Sequence, residues 1–484
     1  MSVPDQTDGE IASAVARLLP ADAQQRAYYP GEPAAAQPVN TVYVNADVFS
    51  PASIDELTEA AREAMRLYGP TPGAFAFALG LPGYEQPPTA VAEADDAAAI
   101  ARDANAVHGA APHVWLAHQV HARVLRRLRT RAVADVRIDF EDGYGARPEQ
   151  EEDADAIRCG WAVAELAATG GLCPRIGIRI EPLDTPNVDR AVRTLELFVD
   201  ALVDKTGGVL PAQIVVTVPK VSHVAQSRAA DEILGALERR HGLAAGRLRL
   251  EIMVEMTQAL IGPDGCCPLP QIVAAAGPRV LGAHLGVYDF TAACQLSPLL
   301  QAPDHPMCDL ARGMMRLSLG GTGVEISDGA TNVLPVGPHP GHTDALDAAQ
   351  REDNRVAVLR GWRASHRHVA HALQQGVYQG WDMHGAQLPA RFAAVYGHFL
   401  AGFDAAATRL RAIVSDLGAA QQHSAALDDA ATAQALLGFV LRAYDCGAID
   451  ADELRVAGLR ASDLEHRSFV AMAAHRRGEP TAPS

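Results

Sequence analysis

The chain has 484 residues, 48% hydrophobic and 20% charged, which is ample apolar material for a large core and excludes a disordered or fibrous protein. A formal net charge of -17, from 41 Lys and Arg against 58 Asp and Glu, would repel phosphate backbones and anionic lipid, and so speaks against nucleic-acid or membrane-surface partners. No apolar run approaches the ~18 residues of a membrane span, and the opening MSVPDQTDGE is acidic where a signal peptide is basic, so a soluble cytoplasmic protein is expected.

The stretch to residue 112 reads as a mostly helical N-terminal extension. It carries one possible strand (Thr41 to Val44), a helix from Ile54 to Tyr68 opened by Ser53, Gly/Pro-rich turns, and a helix from Ala90 to Val107 with Glu93, Asp95 and Asp96 in its first turns. From His113 a short apolar run is followed repeatedly by a stretch of helical period, the signature of parallel βα units. The strands expected begin at Val114, Val133, Arg175, Gln213, Leu248, Val280, Gly323 and Val377. The helices between them include Glu151 to Ala168, Val188 to Val203, Val224 to Arg240 and Asn354 to Gln375. Eight strands over residues 113–405 match a (β/α)₈ TIM barrel as the catalytic domain; a doubly wound open sheet is the alternative. Residues 406–484 then read as a C-terminal helical segment ending in the tail GEPTAPS.

Seven cysteines lack both metal-ligand spacing and a disulfide pattern, and read as reduced structural thiols. His118, His121 and His223 read as surface or packing histidines, and no Gly-rich phosphate loop stands out.

In a parallel barrel the active site lies at the carboxyl ends of the strands. The polar residues there are Asp139, Glu141 and Asp142, then Arg179 and Glu181, Lys220, Glu255, Asp289, Ser327 and Asp328, and finally Asp382 and His384. Carboxylates outnumber cations, a repulsive arrangement that a divalent ion relieves, and oxygen-only ligands suit Mg²⁺ or Mn²⁺ rather than zinc. Each residue has a structural alternative. Arg179 could pair with Asp139 or Glu141, Glu251 could replace Glu255 as a ligand, Asp289 could cap a helix, and His384 could cap rather than position substrate. Lys220 could face the carboxylates as a cation or act as a Schiff-base nucleophile.

The motifs DFEDGYG (139–145), IRIEPLDTP (178–186), TVPKV (217–221), VEMTQAL (254–260), LGAHLGVYDFTA (281–292) and MHGAQL (383–388) together resemble successive strand ends of the HpcH/HpaI aldolase and citrate lyase β-subunit superfamily, to which malyl-CoA lyases and malate synthases are related. The resemblance implies that Arg179 binds a substrate carboxylate and that Glu255 and Asp289 hold Mg²⁺. Asp139, Glu141 and Lys220 would complete the catalytic set, and His384 would join Arg179 in substrate binding. It implies a metal-dependent carbon–carbon lyase or aldolase acting on a 2-oxo acid or a hydroxyacyl precursor, and a homo-oligomer, trimer or hexamer. A malate-synthase-like condensation of glyoxylate with an acyl-CoA is the alternative, with a base among Asp428, Asp429 and Asp445; a non-catalytic metabolite-binding barrel is the other. A CoA thioester is therefore compatible with the pattern. The chain departs from the superfamily at Gly143 and Tyr144, where pyruvate aldolases carry a histidine base. It departs again at Glu181 and Gly385, where citrate-lyase-like relatives often have Asn and Pro, so the substrate stays open.

Overall fold

A computed structural model describes residues 4–33, 35–130, 132–211, 213–341, 343–419 and 430–477. Eight parallel strands close into a barrel in chain order: β1 (Asn40–Asn45), β2 (Asp135–Asp139), β3 (Arg175–Arg179), β4 (Ile214–Val218), β5 (Leu248–Val254), β6 (Val280–Leu285), β7 (Glu325–Asp328) and β8 (Gln379–Asp382). Closure is made by β1 against β8, with Thr41 opposite Trp381, which removes the open-sheet alternative.

Seven of the strands lie where the sequence places them, and the first does not. Val114 falls in the helix Pro112–Leu128, and the barrel opens instead at Asn40, inside the stretch expected to be an N-terminal extension. The apolar run at Val114 is four residues long, but the buried positions continue as Val114, Ala117, Val120, His121, Val124 and Leu128, a helical spacing, and Pro112 sits in the first turn where its missing N–H costs nothing. Three helices, Pro72–Leu79, Ala90–Ala110 and Pro112–Leu128, are thus inserted between the helix Ser53–Tyr68 and β2. The other expected helices form, among them Glu149–Ala168, Val188–Thr206, Val224–Arg240 and Ala348–Gln374. The C-terminal segment begins as the helix Leu388–Ala419, which packs on Ala348–Gln374, Pro112–Leu128 and Ala430–Asp445. The tail GEPTAPS lies outside the described residues. Among the described residues no helix is long and apolar enough to cross a membrane.

Strand alternation sorts the side chains. Val136, Ile138, Ile176, Ile178, Ile214, Val216, Leu250 and Ile252 join the apolar core shared with the surrounding helices. The alternate residues reach across the lumen, because they contact strands that are not their neighbours. Arg175 on β3 pairs with Glu325 on β7 (Nη2 to Oε1, 2.8 Å), and Arg137 on β2 donates to Thr217 Oγ1 on β4 (2.9 Å) and stands 3.3 Å from Glu251 Oε2 on β5. Thr41 donates to Asp135 Oδ2 (3.1 Å) and accepts from Gln379 Nε2 (2.8 Å). The lumen is therefore filled by a largely paired ionic lattice where barrels commonly use branched apolar layers.

Candidate active site

The carboxyl ends of β2 to β6 bring Asp139, Glu141, Asp142, Arg179, Lys220, Glu255 and Asp289 together. Arg179, 1% exposed, sets two prongs on Asp139 (Nε to Oδ1 and Nη2 to Oδ2, both 2.7 Å), while its Nη1 lies 2.9 Å from Glu141 Oε2. Its guanidinium also lies 5.0 Å from the ring centre of Tyr43 and 5.2 Å from that of Trp381, in cation–π contact with both. The fork expected to meet a substrate carboxylate is thus engaged by the protein's own carboxylates, the alternative that a buried arginine favours.

Lys220 follows β4 in the left-handed region, φ 51°, which is costly for a long side chain and points to a conformation imposed by its surroundings. That turn sends its backbone N–H to Glu255 Oε1 (2.6 Å) and its ammonium to Glu141 Oε1, to Asp142 (3.2 Å) and toward Asp289 (3.8 Å). Burial opposes the ammonium's charge, but Glu141, Glu255 and Asp142 outweigh it and raise the lysine's pKa.

Glu255, 1% exposed, is pushed up to about 8 by burial and by the neighbouring Asp289 and Glu141. Burial also raises Asp289, against the pull of Lys220, and Asp142 within hydrogen-bonding reach adds to the rise. Two glycines make this crowding possible: a Cβ on Gly143 would come within 2.5 Å of Asn45 Oδ1, and one on Gly286 within 2.2 Å of Glu255 Oε2. Asp289 lies in the first turn of the helix Val287–Ala293, whose N-cap is Gly286, so it is not the cap. Glu251 is taken into the lumen lattice, where it accepts from Thr217 (2.7 Å), and the strand-end Glu255 faces the cluster.

The remaining strand-end residues do other work. Asp328 is paired with Arg312 (3.0 Å) and Asp382 with Arg391 (2.6 Å). His384 Nδ1 accepts from the Ala386 N–H (3.1 Å), and the Gln387 side chain accepts from the N–H groups of Met383 and His384, a local capping arrangement. This is the capping use of His384; among the described residues no contact joins it to the carboxylates. Of the bases considered for an acyl-CoA condensation, Asp428 and Asp429 lie outside the described residues. Asp445 is bound to Arg467 (2.7 Å) in a cavity lined by Glu325 and Tyr378, at the opposite end of the barrel. All seven cysteines are free, and Cys159, Cys173 and Cys308 are buried. His121 is buried against the Gly69 carbonyl (3.0 Å), as a packing residue.

The carboxylate group fits a hard divalent cation. Its donors are all oxygen, Glu255 is buried without its full charge, and one ammonium faces Glu141, Asp142, Glu255 and Asp289. Among the described residues no three His, Cys, Asp or Glu side chains are poised to hold an ion together; a pair of carboxylates completed by water and substrate is how Mg²⁺ is commonly bound. Tyr43, His284 and Trp381, which cluster beside Arg179, were not legible as site residues. Tyr43 belongs to the possible strand expected in the N-terminal extension, outside the barrel, and the other two sit inside strands rather than at their ends.

A parallel barrel with an acidic cluster around one lysine and one buried arginine at its carboxyl end defines the class. Residues 18–472 match the family described as Domain of unknown function (DUF6986), and the chain belongs to that family. No curated protein matches it. Among solved structures it is similar to a citrate lyase from Burkholderia xenovorans LB400, at 20% identity over 71% of this chain and 93% of that one, with a TM-score of 0.48. It is also similar to a Haloferax volcanii malate synthase, at 15% identity over 54% of this chain and 63% of that one, TM-score 0.40. A third likeness is to the citrate lyase β subunit from M. tuberculosis complexed with oxaloacetate and magnesium, at 18% identity over 57% of this chain and 93% of that one, TM-score 0.34.

Proposed function

We propose that this protein is a Mg²⁺-dependent carbon–carbon lyase or aldolase acting on a 2-oxo acid or on a hydroxyacyl precursor of one. The observation that carries the reading is the unbalanced charge at the carboxyl end of the barrel: Glu141, Asp142 and Asp289 surround the ammonium of Lys220, and Glu255 accepts from the same residue's backbone N–H. Glu255 and Asp289 would hold the cation, which supplies Lewis-acid stabilisation to an oxygen that gains charge as the bond breaks or forms. Arg179 orients Asp139 and Glu141 through its three short contacts. Lys220 fixes Glu255 Oε1 with its backbone N–H and offsets part of the negative charge with its ammonium. A Schiff base requires a neutral amine, and the carboxylates around Lys220 hold it charged.

The test is to incubate the protein with Mg²⁺ and a panel of 2-oxo acids, with and without acetyl-CoA, and to follow products by mass spectrometry. Cleavage or formation of a carbon–carbon bond that stops on EDTA treatment is expected, with no adduct trapped by borohydride. Turnover that survives EDTA, with a reduced adduct on Lys220, would overturn the metal-dependent reading in favour of Schiff-base chemistry.

A further inference from the structure

Beside Arg179 the barrel holds three polar rings from three strands. Tyr43 on β1 and Trp381 on β8 lie 4.0 Å apart between ring centres, tilted by 34°. His284 on β6 meets Tyr43 at 6.1 Å and Trp381 at 5.5 Å, edge-on to both. The contact between β6 and β1 crosses the lumen, since those strands are not neighbours. Tyr43 is 7% exposed and His284 fully buried, whereas Trp381 is partly exposed with its indole nitrogen buried.

Among the described residues the Tyr43 hydroxyl, the Trp381 indole nitrogen and both His284 ring nitrogens are buried and make no hydrogen bond. Glu251 Oε1 is 4.0 Å from His284 Nδ1, too far to serve. Leaving a buried polar group unmade is destabilising, by about 1–3 kcal/mol each, and four such atoms in one place need an explanation. The polar residues deeper in the lumen offer a contrast, for Thr41, Asp135, Arg137, Thr217 and Glu251 are all hydrogen-bonded to one another or to neighbours, and only Arg249 Nε among the described charged side chains of the strands' amino ends lacks a partner. The three rings present a hydroxyl, an indole N–H and, since burial lowers the imidazole to about 4 and keeps it neutral, one imidazole N–H and one bare nitrogen.

Donors without charge or partner suit oxygen acceptors of a small ligand. The proposed reaction needs such a place, because the Arg179 fork is already on Asp139 and Glu141. We infer that Tyr43, His284 and Trp381 form a neutral hydrogen-bonding subsite in the lumen that takes the carboxylate oxygens of a small 2-oxo acid, an assignment that rests on the function proposed above. Arg179, stacked on two of the rings, then positions the subsite against the carboxylate cluster and does not itself supply the binding fork.

Calorimetry with two probes tests this, Mg²⁺ alone and oxalate in the presence of Mg²⁺, on the full chain and on Tyr43→Phe and Trp381→Phe. Tyr43→Phe keeps the ring and its contact with Arg179 and removes the hydroxyl alone. Both variants should bind Mg²⁺ as the unaltered chain does and oxalate about tenfold more weakly, the scale of one buried hydrogen bond. If Tyr43→Phe fails to fold, as circular dichroism would reveal, Trp381→Phe is read by the same criterion. Oxalate binding equal to that of the unaltered chain would overturn the subsite and leave the proposed function standing, and so would a variant that loses Mg²⁺ as well, since that reveals a merely structural role. An unaltered chain that binds neither probe would remove the functional reading and the subsite with it.

Discussion

The two ends of the barrel lumen are built from the same residue types and obey opposite rules. Toward the amino ends of the strands most charges have a partner: Arg175 meets Glu325, and Arg137 meets Asp135 and Glu251, with the half-buried Arg249 the exception among the described residues. At the carboxyl ends Asp139 is satisfied by Arg179, but Glu141, Asp142, Glu255 and Asp289 share Lys220 and a part of Arg179. Buried charge is tolerated when it is paired; where pairing is left incomplete, a titratable group is driven from its ordinary range, as Glu255 is. The difference separates the part of the lumen that holds the barrel together from the part that is set up for chemistry.

Substitutions at the two ends should therefore separate stability from metal binding. The largest effect is expected at the carboxyl end, where Glu255→Ala or Asp289→Ala should abolish Mg²⁺ binding and turnover while the circular dichroism spectrum stays that of the folded chain, since a Mg²⁺ site of few protein ligands contributes little to folding. Full Mg²⁺ affinity in either variant removes that residue from the site. At the other end Glu325→Ala should leave Arg175 buried and unpaired, costing about 3–5 kcal/mol in urea unfolding, with Mg²⁺ affinity unchanged. A lattice without energetic weight would unfold at the same urea concentration as the unaltered chain.

Arg179→Lys lies between the two ends. It keeps the charge and loses the planar fork on Asp139, so unfolding should become easier by about 1.5–3 kcal/mol, the range for hydrogen bonds to charged groups, and Mg²⁺-supported oxalate binding should weaken as the cluster loosens. Equal oxalate affinity would separate Arg179 from ligand binding altogether.

The last effect is a pH dependence, which needs no substitution to be seen. Glu255 has a pKa of about 8 in the folded protein against 4.5 ordinarily, so between these values the folded chain holds a proton that the unfolded chain has released. Stability of the Mg²⁺-free protein should accordingly fall as pH rises through that window, and Mg²⁺ affinity should rise across it as the competing proton leaves. Melting temperatures taken in EDTA check the first, and Glu255→Gln should flatten the decline; calorimetry checks the second.

Much of this molecule is legible in the chain itself. The period of two in segments such as VRIDFED and RIGIRIE, recurring between stretches of helical period, specifies βα units, and a strand that ends in a carboxylate advertises the functional end of a parallel barrel. Glu255 and Asp289 could be placed at that end because their position depends only on where an apolar run stops. The first strand could not, since VWLA and NTVYVN are both short apolar runs, and only packing decides that one lies on a helix face and the other pairs with β2 and β8. Partner choice among charges is likewise undecided along the chain: the pairing of Arg179 with Asp139 stands there only as an alternative to substrate binding, and nothing there foreshadows that Asp382 meets Arg391 or Asp328 meets Arg312.

The sequence by itself thus determines the alternation of elements, the charge excess and the residues that stand at the strand ends, because these follow from local periodicity and composition. Tertiary structure alone decides which strand closes the barrel, which carboxylates are neutralised and which are left to crowd Lys220, and that Tyr43, His284 and Trp381 meet beside Arg179. Those outcomes depend on contacts between residues far apart in the chain, from 40 positions for Arg179 and Asp139 to 338 for Gln379 and Thr41, whose distances are set by closure of the sheet and by the side chains that fill its lumen.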